Sequence, residues 1–130
     1  MPSRHGKTVN FKKVVFNMKK SVQVSINELA IARWNKAIAE YNDMYTKVVS
    51  FKLYSCSARV FETDNYYFLC SYNTIVACYS KKSIEFTDML RYVHGYTATS
   101  SQHIAKFRNW VRFRENLCYC DMHELRYYPV

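Results

Sequence analysis

At Lys47 the spacing of apolar residues switches from a helical period to a strand period, and this switch decides the fold class. Before it, Ala30, Trp34, Ala37, Ile38, Tyr41 and Tyr45 recur three, four or seven residues apart, as one buried helix face requires. Ser25-Ile26-Asn27-Glu28 has the spacing of a capping box, with Val24 and Leu29 placed as a hydrophobic staple. Together they predict a helix over about 26–45. After the switch, Val49, Phe51 and Leu53 alternate with Ser50 and Lys52, the pattern of a half-buried strand.

Two hairpins follow. Ala58–Glu62 and Tyr66–Ser71 flank Thr63-Asp64-Asn65, where Asp and Asn tolerate a left-handed backbone. Thr74–Tyr79 and Ile84–Phe86 flank Ser80-Lys81-Lys82-Ser83, a turn with a doubly basic tip. Met89–Val93 suggests a short helical turn. Thr99-Ser100-Ser101-Gln102 then repeats capping-box spacing ahead of Ile104, Phe107, Trp110 and Val111, predicting a second helix over about 100–115. Leu117–Val130 offers a last strand. Val9–Asn17 also reads as a strand, its change of parity fitting either burial on both faces or a bulge. The expected class is α+β: an antiparallel meander of four to six strands packed with two helices. At 130 residues the chain is sized for one domain over 1–130, with residues 1–8 expected to form a mobile basic arm.

Composition narrows the function. Two Gly and two Pro leave almost no scope for a phosphate-cradling glycine loop. The net charge is +9, and Arg4, Lys7, Lys12, Lys13, Lys19 and Lys20 all precede the first acidic residue, Glu28. A field of that sign attracts polyanions or an acidic protein surface. A second basic group lies on the later helix (Lys106, Arg108, Arg112 and Arg114) and a third at the hairpin tip (Lys81 and Lys82). The twelve Tyr suggest stacking platforms beside the charge, notably Tyr66, Tyr67, Tyr72 and Tyr79 in the sheet and Tyr127 and Tyr128 beside Arg126. The expected partner is therefore nucleic acid, a ribonucleoprotein or an acidic protein face. No membrane partner is expected, because no apolar run approaches spanning length. Oligomeric state is left open.

Candidates for chemistry are weaker. Cys118-Tyr119-Cys120-Asp121-Met122-His123 carries zinc-type ligands, but one residue separates the cysteines where structural sites place two to four. In a strand both thiols would share one face as small core residues, so no metal or cofactor is expected. Cys56, Cys70 and Cys78 lie in apolar strand patterns, where thiols are inert. Five cysteines with no secretory leader fit reduced thiols in a cytoplasm. His103 near the second helix start, with Lys106 one turn on, has the parts of a phosphodiesterase but lacks arginine clamps for the transition state. No catalytic residue is expected.

Ser71-Tyr72-Asn73-Thr74-Ile75-Val76-Ala77, followed by Tyr96-Thr97-Ala98-Thr99-Ser100-Ser101-Gln102-His103-Ile104-Ala105-Lys106-Phe107, resembles a family of small proteins encoded by bacteriophages and other mobile elements. Thr97 stands where that pattern has Ser, and Ser100 where it has Thr. The resemblance implies a phage accessory protein in a host cytoplasm, anti-CRISPR-like by analogy, that blocks a nucleic acid–protein machine by occupancy. The rival expectations are a self-associating protein using a Tyr-rich sheet face and a small nuclease-like protein using His103.

Overall fold

The computed structural model describes residues 4–54, 57–95 and 97–130, excluding the side chains of residues 4–18 and of Tyr119. The first element, α1, runs from Arg4 to Asp43. It therefore absorbs Val9–Asn17, which the sequence assigns to a strand, and it overruns the expected start at residue 26. The capping-box reading fails for a local reason. Ser25 Oγ donates to the carbonyl of Ser21 at 3.2 Å, the back-bond of a serine inside a helix rather than at its end. Of the expected mobile arm, residues 4–8 have helical backbone and residues 1–3 lie outside the described residues.

Beyond a short 3₁₀ turn at Tyr45–Lys47, five strands form an antiparallel meander. They are β1 (Val49–Lys52), β2 (Ala58–Glu62), β3 (Tyr66–Ser71), β4 (Thr74–Ser80) and β5 (Glu85–Asp88). A bulge between Leu69 and Cys70 shifts the β3–β4 register. Then come α2 (Leu90–Val93) and α3 (Ala98–Glu115), and β6 (His123–Arg126) returns parallel to β5 to complete the sheet in chain order. The helix α3 starts where Thr97, in extended conformation, accepts from the Ser100 amide at 3.1 Å, so the functional cap lies two residues before the expected one. It stops at Asn116, which takes the left-handed conformation at φ 55°.

The period of two puts alternate residues on opposite sheet faces, and each face is covered by one helix. Val60, Tyr67, Leu69, Val76, Tyr79 and Phe86 pack with Ile104, Phe107 and Val111 of α3. On the other face Phe68, Cys78 and Met89 pack with Ala30, Trp34 and Ala37 of α1. The two alanines are fully buried and admit the helix close to the strands. Full burial of Phe68, Phe86 and Phe107 stabilises by about 2–3 kcal/mol per ring. The architecture is helix, sheet, helix.

Two polar contacts fasten α1. Asn27 Nδ2 donates to the Tyr128 carbonyl at 2.6 Å, and the Tyr128 amide donates back to Asn27 Oδ1 at 3.0 Å. Glu40 receives the Thr63 hydroxyl at 2.6 Å and the Asn65 amide and side chain at 3.0 and 2.7 Å. Arg33 adds an ion pair to Glu85 at 2.8 Å. Among the described residues, no helix is long and apolar enough to cross a membrane.

Candidate nucleic-acid interface

Because α1 and α3 sit on opposite faces of the sheet, the two main groups of cations start out apart. The backbone of Lys12 and Lys13 lies in α1, and Lys19 and Lys20 follow two turns later with exposed side chains. The faces approach each other at the β5–β6 edge. A groove of about 400 Å³ opens there, lined by Gln23 of α1, Arg108 of α3, and Asp88, Glu124, Arg126 and Tyr128. Gln23 falls one turn after Lys19 of the same helix, which puts the exposed Lys19 next to the α1 side of the groove. A neighbouring hollow of about 250 Å³ shares Asp88, Arg126 and Tyr128 and adds Arg91 and Ser101.

Three arginines line the combined groove, against two carboxylates, leaving one net positive charge. Arg108 pairs with Glu124 and lies over the Phe86 ring at 5.1 Å. Arg126 pairs with Asp88 at 3.2 Å. Burial alone would lower the Arg126 pKa, but hydrogen bonding to Tyr128 and the Asp88 charge raise it further. Arg91 lies over the Tyr128 ring at 4.7 Å, and Tyr92 meets Tyr127 edge-on at 5.0 Å. Tyr92 and Tyr128 remain substantially exposed. This edge thus combines cations with accessible aromatic faces, the chemistry that holds unpaired bases.

The other expected residues serve different surroundings. Lys81 pairs with Glu62, donates to the Thr63 carbonyl at 3.0 Å and lies over the Tyr67 ring at 4.6 Å. Arg114 reaches the same Glu62 at 3.6 Å and stacks over Phe51 and Trp110 at 4.5 and 5.1 Å. Arg112 donates to Asn109 at 3.3 Å. Lys82 and Lys106 are exposed. Lys81 and Arg114 are therefore drawn together around Glu62, away from the groove. Arg91 carries no signal of its own in the sequence, and Arg126 stands out only as a neighbour of the tyrosines; what unites them is the parallel β6, which local pattern does not reveal.

The tyrosines divide the same way. Tyr67 and Tyr79 are core residues with rings stacked at 6.1 Å. Burial pushes both hydroxyls up to about 12, and the Tyr67 hydroxyl donates to Glu115 at 2.9 Å. Both sheet faces carry a helix, which covers Tyr67 and Tyr79, whereas Tyr66 is half-buried and Tyr72 stays exposed.

At the other end of α3, the segments 71–77 and 97–107 meet. Ser71 Oγ lies 2.8 Å from His103 Nδ1 and 3.0 Å from Ser100 Oγ, and the Tyr72 ring sits 5.5 Å from the imidazole. Ser71, Ser100 and His103 are each only 3% exposed. Burial, with Lys106 nearby, lowers the His103 pKa and so favours the neutral ring. The cluster joins β3 to the first turn of α3 and offers its serine little access to a substrate. Cys70 and Cys78 are buried, and desolvation pushes Cys78 up to about 12, as an inert thiol requires. Cys56 lies outside the described residues. Cys118 and Cys120 depart from expectation: both are exposed, with Cys120 in a 3₁₀ turn, Tyr119–Asp121, before β6 begins.

Fold and groove define a three-layer α+β domain with a basic, aromatic edge. The chain belongs to a family of unknown function, DUF8033, whose profile matches residues 37–119. Searches of curated proteins and of solved structures find no match. The matched span holds the meander, α3 and the Ser71–His103 cluster; the basic half of α1 and strand β6 lie outside it.

Proposed function

We propose that this protein is a non-enzymatic binder of single-stranded nucleic acid, free or within a ribonucleoprotein, that acts by occupancy. The observation that carries the reading is the Arg91–Arg108–Arg126 groove, with the exposed Tyr128 on its wall and Lys19 one turn from its lining residue Gln23. Lys12, Lys13, Lys19 and Lys20 would supply phosphate contacts, and Tyr92 and Tyr128 would stack bases. Obstruction of a host nucleoprotein machine, as the phage-type motif implies, is a use to which such binding could be put. Arg108 lines the groove itself and Arg112 follows it one turn later on α3, whereas Lys106 lies beside His103, Lys81 and Arg114 hold the Glu62 cluster together and Lys82 lies at the opposite hairpin.

The test is a salt titration of binding to labelled single-stranded and duplex DNA and RNA. Affinity for single strands should fall with salt, with a slope of about −0.7 per phosphate neutralised. Reversing Lys12, Lys13, Lys19 and Lys20 to Glu should flatten that slope by roughly three and leave thermal melting nearly unchanged. Tyr128→Ala should weaken single-strand binding by about 1–3 kcal/mol. A salt-independent interaction, or an unaltered slope in the fourfold variant, removes the reading.

A further inference from the structure

The turn between α3 and β6 brings together a set of metal-ligating atoms that the sequence spacing argues against. One sulfur each from Cys118 and Cys120 and a carboxylate oxygen of Asp121 lie within 4.8 Å of one another, and all three residues are exposed. Had Cys118 and Cys120 been in a strand, their Cα atoms would stand roughly 6–7 Å apart with parallel side chains. The 3₁₀ turn at Tyr119–Asp121 coils the chain and draws the thiols inward. Two hydrogen bonds set the turn independently of any ion. The Asp121 amide donates to the Cys118 carbonyl at 3.1 Å, and the Cys118 amide donates to Asp121 Oδ2 at 3.1 Å. That leaves the second carboxylate oxygen and both sulfurs for a ligand. We infer that Cys118, Cys120 and Asp121 form a three-ligand site for zinc.

The donor set selects the ion. Two thiolates are soft, so calcium and magnesium, which demand several oxygens, fit poorly. Zinc accepts sulfur and carboxylate together and prefers four ligands, so a solvent molecule or an outside donor completes the set at the exposed side. Binding exchanges both thiol protons for the ion: Zn²⁺ and two thiols with one carboxylate give a dithiolate–carboxylate complex and two released protons. None of its three residues is among those assigned to nucleic-acid contact, and its proof does not depend on them.

The test uses the whole chain kept reduced, titrated with Co²⁺ as an optical probe and then with Zn²⁺. One equivalent of Co²⁺ should produce thiolate-to-cobalt charge-transfer absorption, which Zn²⁺ should abolish. In weak buffer, one equivalent of Zn²⁺ should release up to two protons. Cys118→Ser and Cys120→Ser should each weaken binding by at least about tenfold, because even changes behind the ligands cost that much. Asp121→Asn keeps an oxygen to accept the Cys118 amide but loses the charge, and should weaken binding by about tenfold. Because the thiols are exposed, metal-free melting temperatures should match across the variants, and a given concentration of Zn²⁺ should raise that of the parent more than that of any variant. Absence of the charge-transfer band in the reduced parent overturns the assignment. So does a band that survives in the Cys118→Ser, Cys120→Ser double variant.

Discussion

Glu40 links two layers through one carboxylate, and its protonation state therefore matters to stability. Burial alone would raise its pKa. The hydrogen bonds from Thr63 and Asn65, with the nearby Lys81 charge, outweigh that and hold it below the ordinary 4.5. A folded pKa below the unfolded one means that the carboxylate stabilises fully above pH 4.5 and loses this contribution as pH falls through the lower folded value. Denaturant unfolding followed from pH 7 to pH 3 should show that loss, and Glu40→Gln should remove this part of the slope. At pH 7 the same substitution should cost about 1–2 kcal/mol, since an amide cannot accept all three donors. An unchanged profile in Glu40→Gln would assign the acid sensitivity to other carboxylates.

At the scale of elements, α1 and α3 carry similar sequence signals with different outcomes, and a pair of substitutions separates them. Thr97→Ala removes the hydroxyl that receives the Ser100 amide and should cost about 1 kcal/mol. Ser25→Ala should cost nothing or stabilise slightly, because the site is an exposed helix interior where Ala is preferred. Equal losses in the two melting curves would restore the helix start near residue 26. The same contrast explains what could be read from the chain. Strands β2 to β5 and the body of α3 were legible because alternation, turn residues and a 3.6-residue stripe agreed there. The first half of α1 was not: Val9, Phe11, Val14 and Phe16 are strand formers, and continuity with the docked helix overrides that preference. The cysteine pair was misplaced because a single 3₁₀ turn leaves no periodic trace. The groove was half legible, since Arg108 and Tyr128 stood out as charge and ring, but only the parallel pairing of β6 puts Arg91 and Arg126 beside them.

For the whole molecule, the pairing of Asn27 with Tyr128 spans 101 positions of sequence. Asn27 is only 6% exposed, so Asn27→Ala would strand a carbonyl and an amide and should cost about 2–4 kcal/mol in urea unfolding. A loss under 0.5 kcal/mol would show that water replaces the pair freely. The feature also orders assembly in time. During synthesis α1 cannot complete its docking until residue 128, 101 positions after Asn27, has followed, because that residue is one of its anchors. Meanwhile the meander and α3 can collapse through neighbouring contacts, exposing the apolar face that holds Phe68 and Met89. Docking of α1 is then a long-range closing step, so Asn27→Ala should slow the last refolding phase more than the first.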